Sequence, residues 1–309
     1  MPSLESKKTI GFLVPTTLDI WSDWTEAFEK RLSELGWSKD KIEINYQQAE
    51  GLEKNYTKHA KYFVGLPVDV VVTGGTQATF ACKKAAAARK PSIPVVFATA
   101  GDPIDTKLVP TFSAPGNLTG ISNQQTNLVI KRLDYLRQLL GNARIALVGN
   151  DRSPNVRLEM KIAKQIAPAL GLKVIVAPIH KQGDISSVIK RLKGKVDGLL
   201  VCTDPLITTH AAQLNEEAMR ANLPTMHAFA EYVYKYGGCI SYGPHFADLF
   251  ASAAELVNTI LSGRHGINMT NVPVQQPNNF ECAISLPPFK KMGITVPPSL
   301  LALADRVIE

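Results

Sequence analysis

Nowhere does this sequence hold about 20 consecutive apolar residues, so no segment of it reads as a membrane-spanning helix. Cysteine is scarce and scattered. Cys82, Cys202, Cys239 and Cys282 form no Cys-x-x-Cys and have no His at ligand spacing, which leaves a structural zinc site without support and makes buried small hydrophobes the expected role. The stretch GFLVPTT lacks the Gly-x-Gly-x-x-Gly of a dinucleotide fold, and a phosphate-binding Gly-Lys-Ser/Thr and the Gly-x-Ser-x-Gly of a hydrolase are also missing. His180, His210, His227 and His245 have no partner at diagnostic spacing and are expected on the surface or satisfied in the core. Neither a cofactor nor a metal is expected. The basic residues do not interleave with aromatics: KRLKGK at 190–195 is the densest cluster and reads as the solvated end of an amphipathic helix, so no nucleic-acid partner is expected. MPSLESKK is polar and leads directly into KTIGFLVP, leaving no room for the apolar core of a signal peptide. That implies either a cytosolic protein or a mature form restarted at Met1.

What is present is ordinary globular composition: 309 residues, 45% hydrophobic and 20% charged, with 34 Lys plus Arg against 27 Asp plus Glu. Two domains are the expectation at this length. Short β-branched runs alternate with amphipathic stretches, the pattern of a parallel sheet covered on both faces. In the first half the predicted strands are KTIGFLV, KIEINYQ, VDVVVT and IPVVFAT, and WSDWTEAFEKRLSELG is a helix with Trp24, Phe28, Leu32 and Leu35 on one face and Gly36 at its end. After NLTGIS the rhythm restarts. ARIALVGN, LKVIVAP, VDGLLVCT and GGCISYG are strands, separated by the helical VRLEMKIAKQIAPALG, ISSVIKRLKG and ITTHAAQLNEEAMRANL. Two similar doubly wound lobes are therefore expected rather than one long sheet. ADLFASAAELVNTILSG adds a helix, the proline-rich tail is partly extended, and SLLALADRVIE is predicted to close as a helix capped by Ser299.

In doubly wound sheets ligands bind beyond the carboxyl ends of the strands, so the residues after each apolar run carry the functional signal. The first lobe offers Pro15-Thr16-Thr17-Leu18-Asp19, Gly74-Gly75-Thr76-Gln77 and Thr99-Ala100-Gly101-Asp102-Pro103. The second offers Asn150-Asp151-Arg152-Ser153, Thr203-Asp204-Pro205, Phe229-Ala230-Glu231-Tyr232 and Ser241-Tyr242-Gly243. Hydroxyls, amides, a few carboxylates and rings suit recognition of a small polar molecule with an apolar part. Two residues carry open alternatives. The glycines of VDVVVTGGTQAT either present backbone N–H groups to a ligand or only shape a strand-to-helix turn, and Asp204 either pairs with an ammonium group or caps the helix that follows Pro205.

VDVVVTGGTQAT, IPVVFATAGDPIDTKLV, APGNLTGIS, GGCISYG and VPVQQPNNFECAISLPPFKKMGITVPPSLLALAD resemble, in order and spacing, the ABC-transporter substrate-binding proteins related to the tryptophan and tyrosine uptake proteins. The resemblance implies a type I periplasmic binding protein: two Rossmann-like lobes joined by a three-crossing hinge, near Gly120, near Gly243 and around Pro273 to Phe280. It assigns 1–119 with about 246–273 to one lobe and 120–245 with about 274–309 to the other, with the ligand between them. By position, Thr17, Leu18, Asp19, Gly75, Thr76, Gln77, Thr99 and Ala100 of the first lobe would face Asn150, Ser153, Asp204 and Glu231 of the second. Thr76 would hold a carboxylate and Asp204 an ammonium. Asp204-Pro205 departs from the Asp-Asn usual in the amino-acid binders.

The resulting expectation is a solute-binding component of an ABC importer for an aromatic amino acid or related small carboxylate. Trp21, Phe229 and Tyr242 are the candidate aromatic contacts. It implies a membrane permease as partner, a monomer, and a periplasmic or membrane-anchored extracytoplasmic location with the signal already removed. Two rivals stand beside it. One is an isomerase or lyase using Asp204 and Glu231 between the lobes; the other, the effector domain of a transcription regulator, lacks a helix-turn-helix ahead of KTIGFLVP.

Overall fold

The computed structural model describes residues 7–113, 116–263 and 272–309. Residues 1–6, 114–115 and 264–271, which include parts of the N-terminal segment, of APGNLTGIS and of the stretch assigned above to the first lobe, lie outside the described residues. In chain order the first elements are β1 (Lys8–Val14), α1 (Leu18–Glu34), β2 (Ile42–Gln48), α2 (Glu53–Val64), β3 (Val70–Gly74), α3 (Thr76–Ala87), β4 (Val95–Ala100) and β5 (Leu118–Ser122). Next come α4 (Gln125–Leu140), β6 (Arg144–Gly149), α5 (Pro154–Ile166), β7 (Lys173–Pro178), α6 (Asp184–Leu192), β8 (Gly198–Val201), α7 (Pro205–Thr209) and α8 (Ala211–Arg220). The remainder is β9 (Thr225–His227), α9 (Glu231–Tyr234), β10 (Ile240–Pro244), α10 (Phe246–Leu261), β11 (Phe280–Ser285), α11 (Leu286–Met292), α12 (Pro298–Leu301) and β12 (Arg306–Ile308). No helix among the described residues is long and apolar enough to cross a membrane.

The chain forms two compact units, residues 1–123 with 246–277, and 124–245 with 278–309. It passes from one to the other after Asn123, after His245 and after Pro277.

In unit 1 the sheet order is β2-β1-β3-β4-β5, every pairing parallel. Parallel strands buried on both faces need no polar alternation, which is why VVVTG and VVFATA are buried throughout. One face of the sheet packs on α2 and α3 through Tyr56, Phe63, Ala78 and Cys82, and Gly11 of β1 is what lets the Phe63 ring lie against the strand. The other face carries an aromatic layer: Phe12 meets Phe28 and Phe250 at centroid distances of 5.2 and 6.3 Å, and Trp21 and Trp24 of α1 meet Phe250 of α10 at 5.5 and 6.0 Å. Such ring pairs add stabilisation beyond the area they bury.

Unit 2 repeats the same order as β7-β6-β8-β9-β10, then adds β11 antiparallel to β10 and β12 parallel to β11. The helix pair α4 and α5 covers one face, with Leu133, Leu136, Val156 and Met160 against Ile145, Leu147 and Leu200. The helices α6 and α8 cover the other, with Val188, Ile189, Leu214 and Ala218 against Ala146, Val148, Leu199 and Val201.

The end of the chain departs from the sequence expectation. SLLALADRVIE does not close as one helix: α12 is a single turn with Pro297, not Ser299, at its N-cap, and Arg306–Ile308 form β12. The β-branched pair Val307-Ile308 finds the open edge of β11, and Asp305 fixes the register by accepting the Cys282 N–H at 2.8 Å. A local helical period lost to available strand pairing. The strands β5 and β9 and the helices α2 and α4 are likewise additional to the elements read from the sequence.

At the start of α3, Gly75 has φ +76° and ψ 155°, a backbone region in which a Cβ is strained. Gly75→Ala should lower unfolding stability by about 1–3 kcal/mol in urea titration. An unchanged midpoint and slope would show that the turn relaxes at no cost.

Candidate functional site

Each unit gathers polar groups at the carboxyl ends of its strands. In unit 1 the turn after β3 is tied to the end of β4: the Gly75 N–H donates to the Thr99 carbonyl at 2.7 Å, and the Thr76 hydroxyl accepts the Gly101 N–H at 3.0 Å. Asn123 closes the group, its Nδ2 donating to the Thr99 hydroxyl at 3.0 Å and its backbone N–H to the Ala100 carbonyl at 2.8 Å. Gly75, Thr76, Thr99 and Ala100 are thus brought together, and the Gly75 amide is spent inside the unit. Gln77 stands half-buried in the first turn of α3, where helix N–H groups point outward with no carbonyl one turn back to receive them.

The α1 turn stands on the neighbouring strand. Thr17 is the N-cap of α1 but makes no side-chain cap, and the Leu18 N–H instead donates to Gln48 Oε1 at 2.7 Å. Asp19 is exposed. Trp21 connects this turn to the glycines. Its six-membered ring lies where a Cβ on Gly74 would be, 2.0 Å from that position, so the first glycine of the pair serves ring packing and the second the backbone turn. The Trp21 ring belongs to the aromatic layer, only 5% exposed, and its Nε1 is buried without a hydrogen-bond partner.

In unit 2, Asn150, Ser153 and Asp204 form one constellation at the ends of β6 and β8. Asp204 is 4% exposed and accepts the Ile207 N–H on Oδ1 at 3.0 Å and the Asn150 N–H on Oδ2 at 2.9 Å. The capping alternative is therefore realised, and the same carboxylate also ties α7 to the β6 loop. The Ser153 N–H donates to the Asn150 carbonyl at 2.9 Å. Burial pushes the Asp204 carboxyl up to about 6, although the N–H groups of Ile207 and Asn150 favour its charged form. From the Asp204 carbonyl a chain runs through Thr208 to the Tyr232 hydroxyl, 2.6 Å from Thr208 Oγ1, and the Tyr232 ring stacks on Phe229 at 5.6 Å. Glu231 opens α9, the residue before Tyr232. Tyr242 stands apart from this group, its ring packed against Tyr135 and Phe280 at 5.3 and 6.2 Å.

Beneath these groups lies a buried cluster that the sequence reading passed over. Arg132 of α4 and Glu159 of α5 are both fully buried and pair at 3.0 Å, and Gln125 Nε2 donates to Glu159 at 2.9 Å. Burial pulls the guanidinium below and lifts the carboxyl above their ordinary values, and each partly offsets the shift of the other. A signal for the pair exists. Arg132 falls on the apolar face set by Val129, Leu133 and Leu136, and Glu159 on that of Val156, Met160 and Ala163. Asn123 follows the LTGIS run, and the strand-end reading applied there would have found it. Among the described residues no group of three or more His, Cys, Asp or Glu side chains could hold a metal, and all four cysteines are buried and unpaired.

Residues 11–308 match the ABC transporter substrate binding protein family, and the chain belongs to that family. It is 24% identical to a tyrosine-binding protein of Clostridioides difficile over 263 residues, which cover 84% of this chain and 73% of that protein. An ABC domain in complex with L-Trp from Streptococcus pneumonia superposes with a TM-score of 0.89 at 23% identity, covering 98% of this chain and all of that one. A conserved domain protein from Vibrio cholerae gives 0.90 at 24% identity, covering 98% of this chain and all of that one. The fold is accordingly of the periplasmic-binding-protein kind, two α/β lobes with parallel sheets. The isomerase or lyase alternative finds no support in these likenesses.

Asp204 should leave a mark on stability. Its folded value of about 6 lies above the ordinary value of about 3.9, so between the two the folded chain keeps a proton the unfolded chain has lost. The favourable contribution is fully present below about pH 4 and is lost as pH rises through about 6. Asp204→Ala should be destabilising at pH 4, and its stability relative to wild type should recover by roughly 2–3 kcal/mol toward pH 7. Urea titrations of both proteins across that range measure it. A deficit that is constant with pH would place the carboxyl at its ordinary value.

Proposed function

We propose that the chain is the solute-binding component of an ABC importer for an aromatic amino acid or a related small carboxylate, held between the two units as they close. Asp204 carries the reading: a buried carboxylate at a strand end, fixed by two backbone N–H groups, is placed to receive an ammonium group without reorganising. The opposing half of the ligand falls to the Thr76 region, where the first turn of α3 favours negative charge. No Lys or Arg stands in the strand-end segments of unit 1 at 15–19, 74–77 and 99–103, so a carboxylate there would be met by N–H groups and hydroxyls. Phe229, with Tyr232 behind it, supplies the ring contact, while Trp21 and Tyr242 act through packing inside their own units. The names of the tyrosine-binding relative and of the L-Trp complex support the ligand class.

Closure in this reading is a population shift: ligand stabilises the closed form only by contacts absent from the open one. The closed form is what a membrane permease recognises. The protein works as a monomer outside the cytoplasm, in the periplasm or anchored to the membrane, with no cofactor and no turnover of its ligand. Asp204, with one oxygen capping a helix and the other held by the Asn150 N–H, is a poor general base.

Tyrosine or tryptophan added to protein refolded free of ligand should raise the melting temperature, by about 2.7 kcal/mol of added stability at a hundredfold excess over Kd. Amino acids, aromatic acids and small amides that all leave it unmoved would reject the proposal. Thr76→Ala and Asp204→Ala should each weaken binding by about 1–3 kcal/mol in calorimetry. Because an ammonium group needs Asp204 ionised, affinity should fall as pH drops below about 6, by at most about tenfold per unit, and Asp204→Asn should abolish that slope. A wild-type affinity that is flat from pH 5 to 7 would remove Asp204 from the ligand.

A further inference from the structure

The three chain passages are the only covalent links between the units, so whatever fixes the backbone beside a passage fixes one end of a pivot. Two of the passages meet at Arg132. Gln125 lies two residues beyond Asn123, where the chain enters unit 2, and Tyr242 lies three residues before His245, where it leaves. Arg132 Nε donates to the Tyr242 carbonyl at 2.8 Å, and Nη1 donates to the Gln125 carbonyl at 3.3 Å and to Glu159 at 3.0 Å. Glu159 takes the Gln125 side chain at 2.9 Å, and that same amide reaches the Thr203 carbonyl, one residue before Asp204, at 3.3 Å. One guanidinium therefore ties both passage-flanking segments to each other, and Gln125 ties them on to the Asp204 loop. Gly243 of β10 answers to a different neighbour: a Cβ there would come within 1.8 Å of the Ala228 carbonyl oxygen, whereas at 3.6 Å it would only touch Arg132 Nη2.

As a source of stability the pair is a poor choice. Both side chains are fully buried, and desolvating two charges commonly costs as much as their attraction returns, so a packed apolar pair would serve folding as well. Arg132 Nη2 is also buried without an acceptor, a further cost. What an apolar pair cannot do is bind two carbonyls in a fixed relation, which the planar fork of arginine does.

We propose that Arg132, held by Glu159, is a positioning residue that fixes the unit 2 ends of the first two chain passages and thereby sets the balance between open and closed forms. The proposal rests on the reading that the units close on a ligand. Its readout does not need the ligand's identity.

Cysteines introduced at exposed Lys54 of unit 1 and Lys161 of unit 2 accept spin labels selectively, because the four native thiols are buried. Distances between the labels are then measured without ligand and with tyrosine or tryptophan, in wild type, in Arg132→Met with Glu159→Met, and in Arg132→Lys. The double variant should fold with a melting temperature within a few degrees of wild type or above it, yet show at least a threefold change in the ratio of the two populations and a broader distribution. Arg132→Lys keeps the charge but loses the fork, and should shift the populations in the same direction by a smaller factor. Amino-acid affinity should change by the factor that the ligand-free populations dictate. A folded double variant with the wild-type distribution overturns the proposal, as does an unaltered Arg132→Lys should the double variant not fold. If neither variant folds, the pair is a folding element and the proposal is likewise overturned. A wild type that binds neither amino acid defeats the ligand reading alone, since the ligand-free distances still decide the role of Arg132.

Discussion

Parallel pairing is the constraint from which the rest of this structure follows. When five neighbouring strands all run one way, every strand ends at the same edge of the sheet, and every residue that follows an apolar run is delivered to one rim. The helices that return the chain cover both faces, so the strands carry almost nothing polar and the rim carries the chemistry. This holds separately in each unit. Gly75 and Thr76 meet Thr99 at one such rim, and Asn150 and Ser153 meet Asp204 at the other, each group joining segments distant in sequence.

Burial at the rim brings its own demand. Polar groups placed there must find partners, and several do so within the unit: Gly75 with Thr99, Asn123 with Thr99 and Ala100, Asn150 with Asp204. Such bonds remove some groups from ligand recognition, as with the Gly75 N–H, and they make others rigid. Asp204 shows both effects. The two N–H groups that satisfy it also lock its orientation, while burial raises its carboxyl until protonation becomes relevant near pH 6. Of the two roles the sequence allows this side chain, the geometry fills the capping one, and pairing with an ammonium group belongs to the proposed function.

Charge deeper in the fold follows different logic. Arg132 and Glu159 occupy apolar helix faces, where propensity and period leave only the anomaly of a charge among Leu, Val and Met. The carbonyls of Gln125 and Tyr242 explain that anomaly, and they are 117 residues apart in the chain (242 − 125). Their meeting depends on β10 lying where α4 crosses it, a property of the folded unit.

Most of the architecture was legible because it rests on local pattern. Buried parallel strands announce themselves as β-branched runs, and the restart of the βα rhythm after NLTGIS marks the second unit. The rims were legible too, since strand ends can be read in order. The tail was not. Ser299 to Glu309 has a helical look, but Val307 and Ile308 pair with an edge that exists only after β11 has folded onto β10. Nor could sequence separate the jobs of the two glycines in VVVTGGTQAT. The positive φ of Gly75 is a local matter that the turn requires, whereas Gly74 is small because the Trp21 ring from another helix occupies its side-chain space. Period and turn chemistry act over a few residues and are written in the chain by themselves. Partners across a core are chosen by three-dimensional packing, and only the tertiary structure decided them.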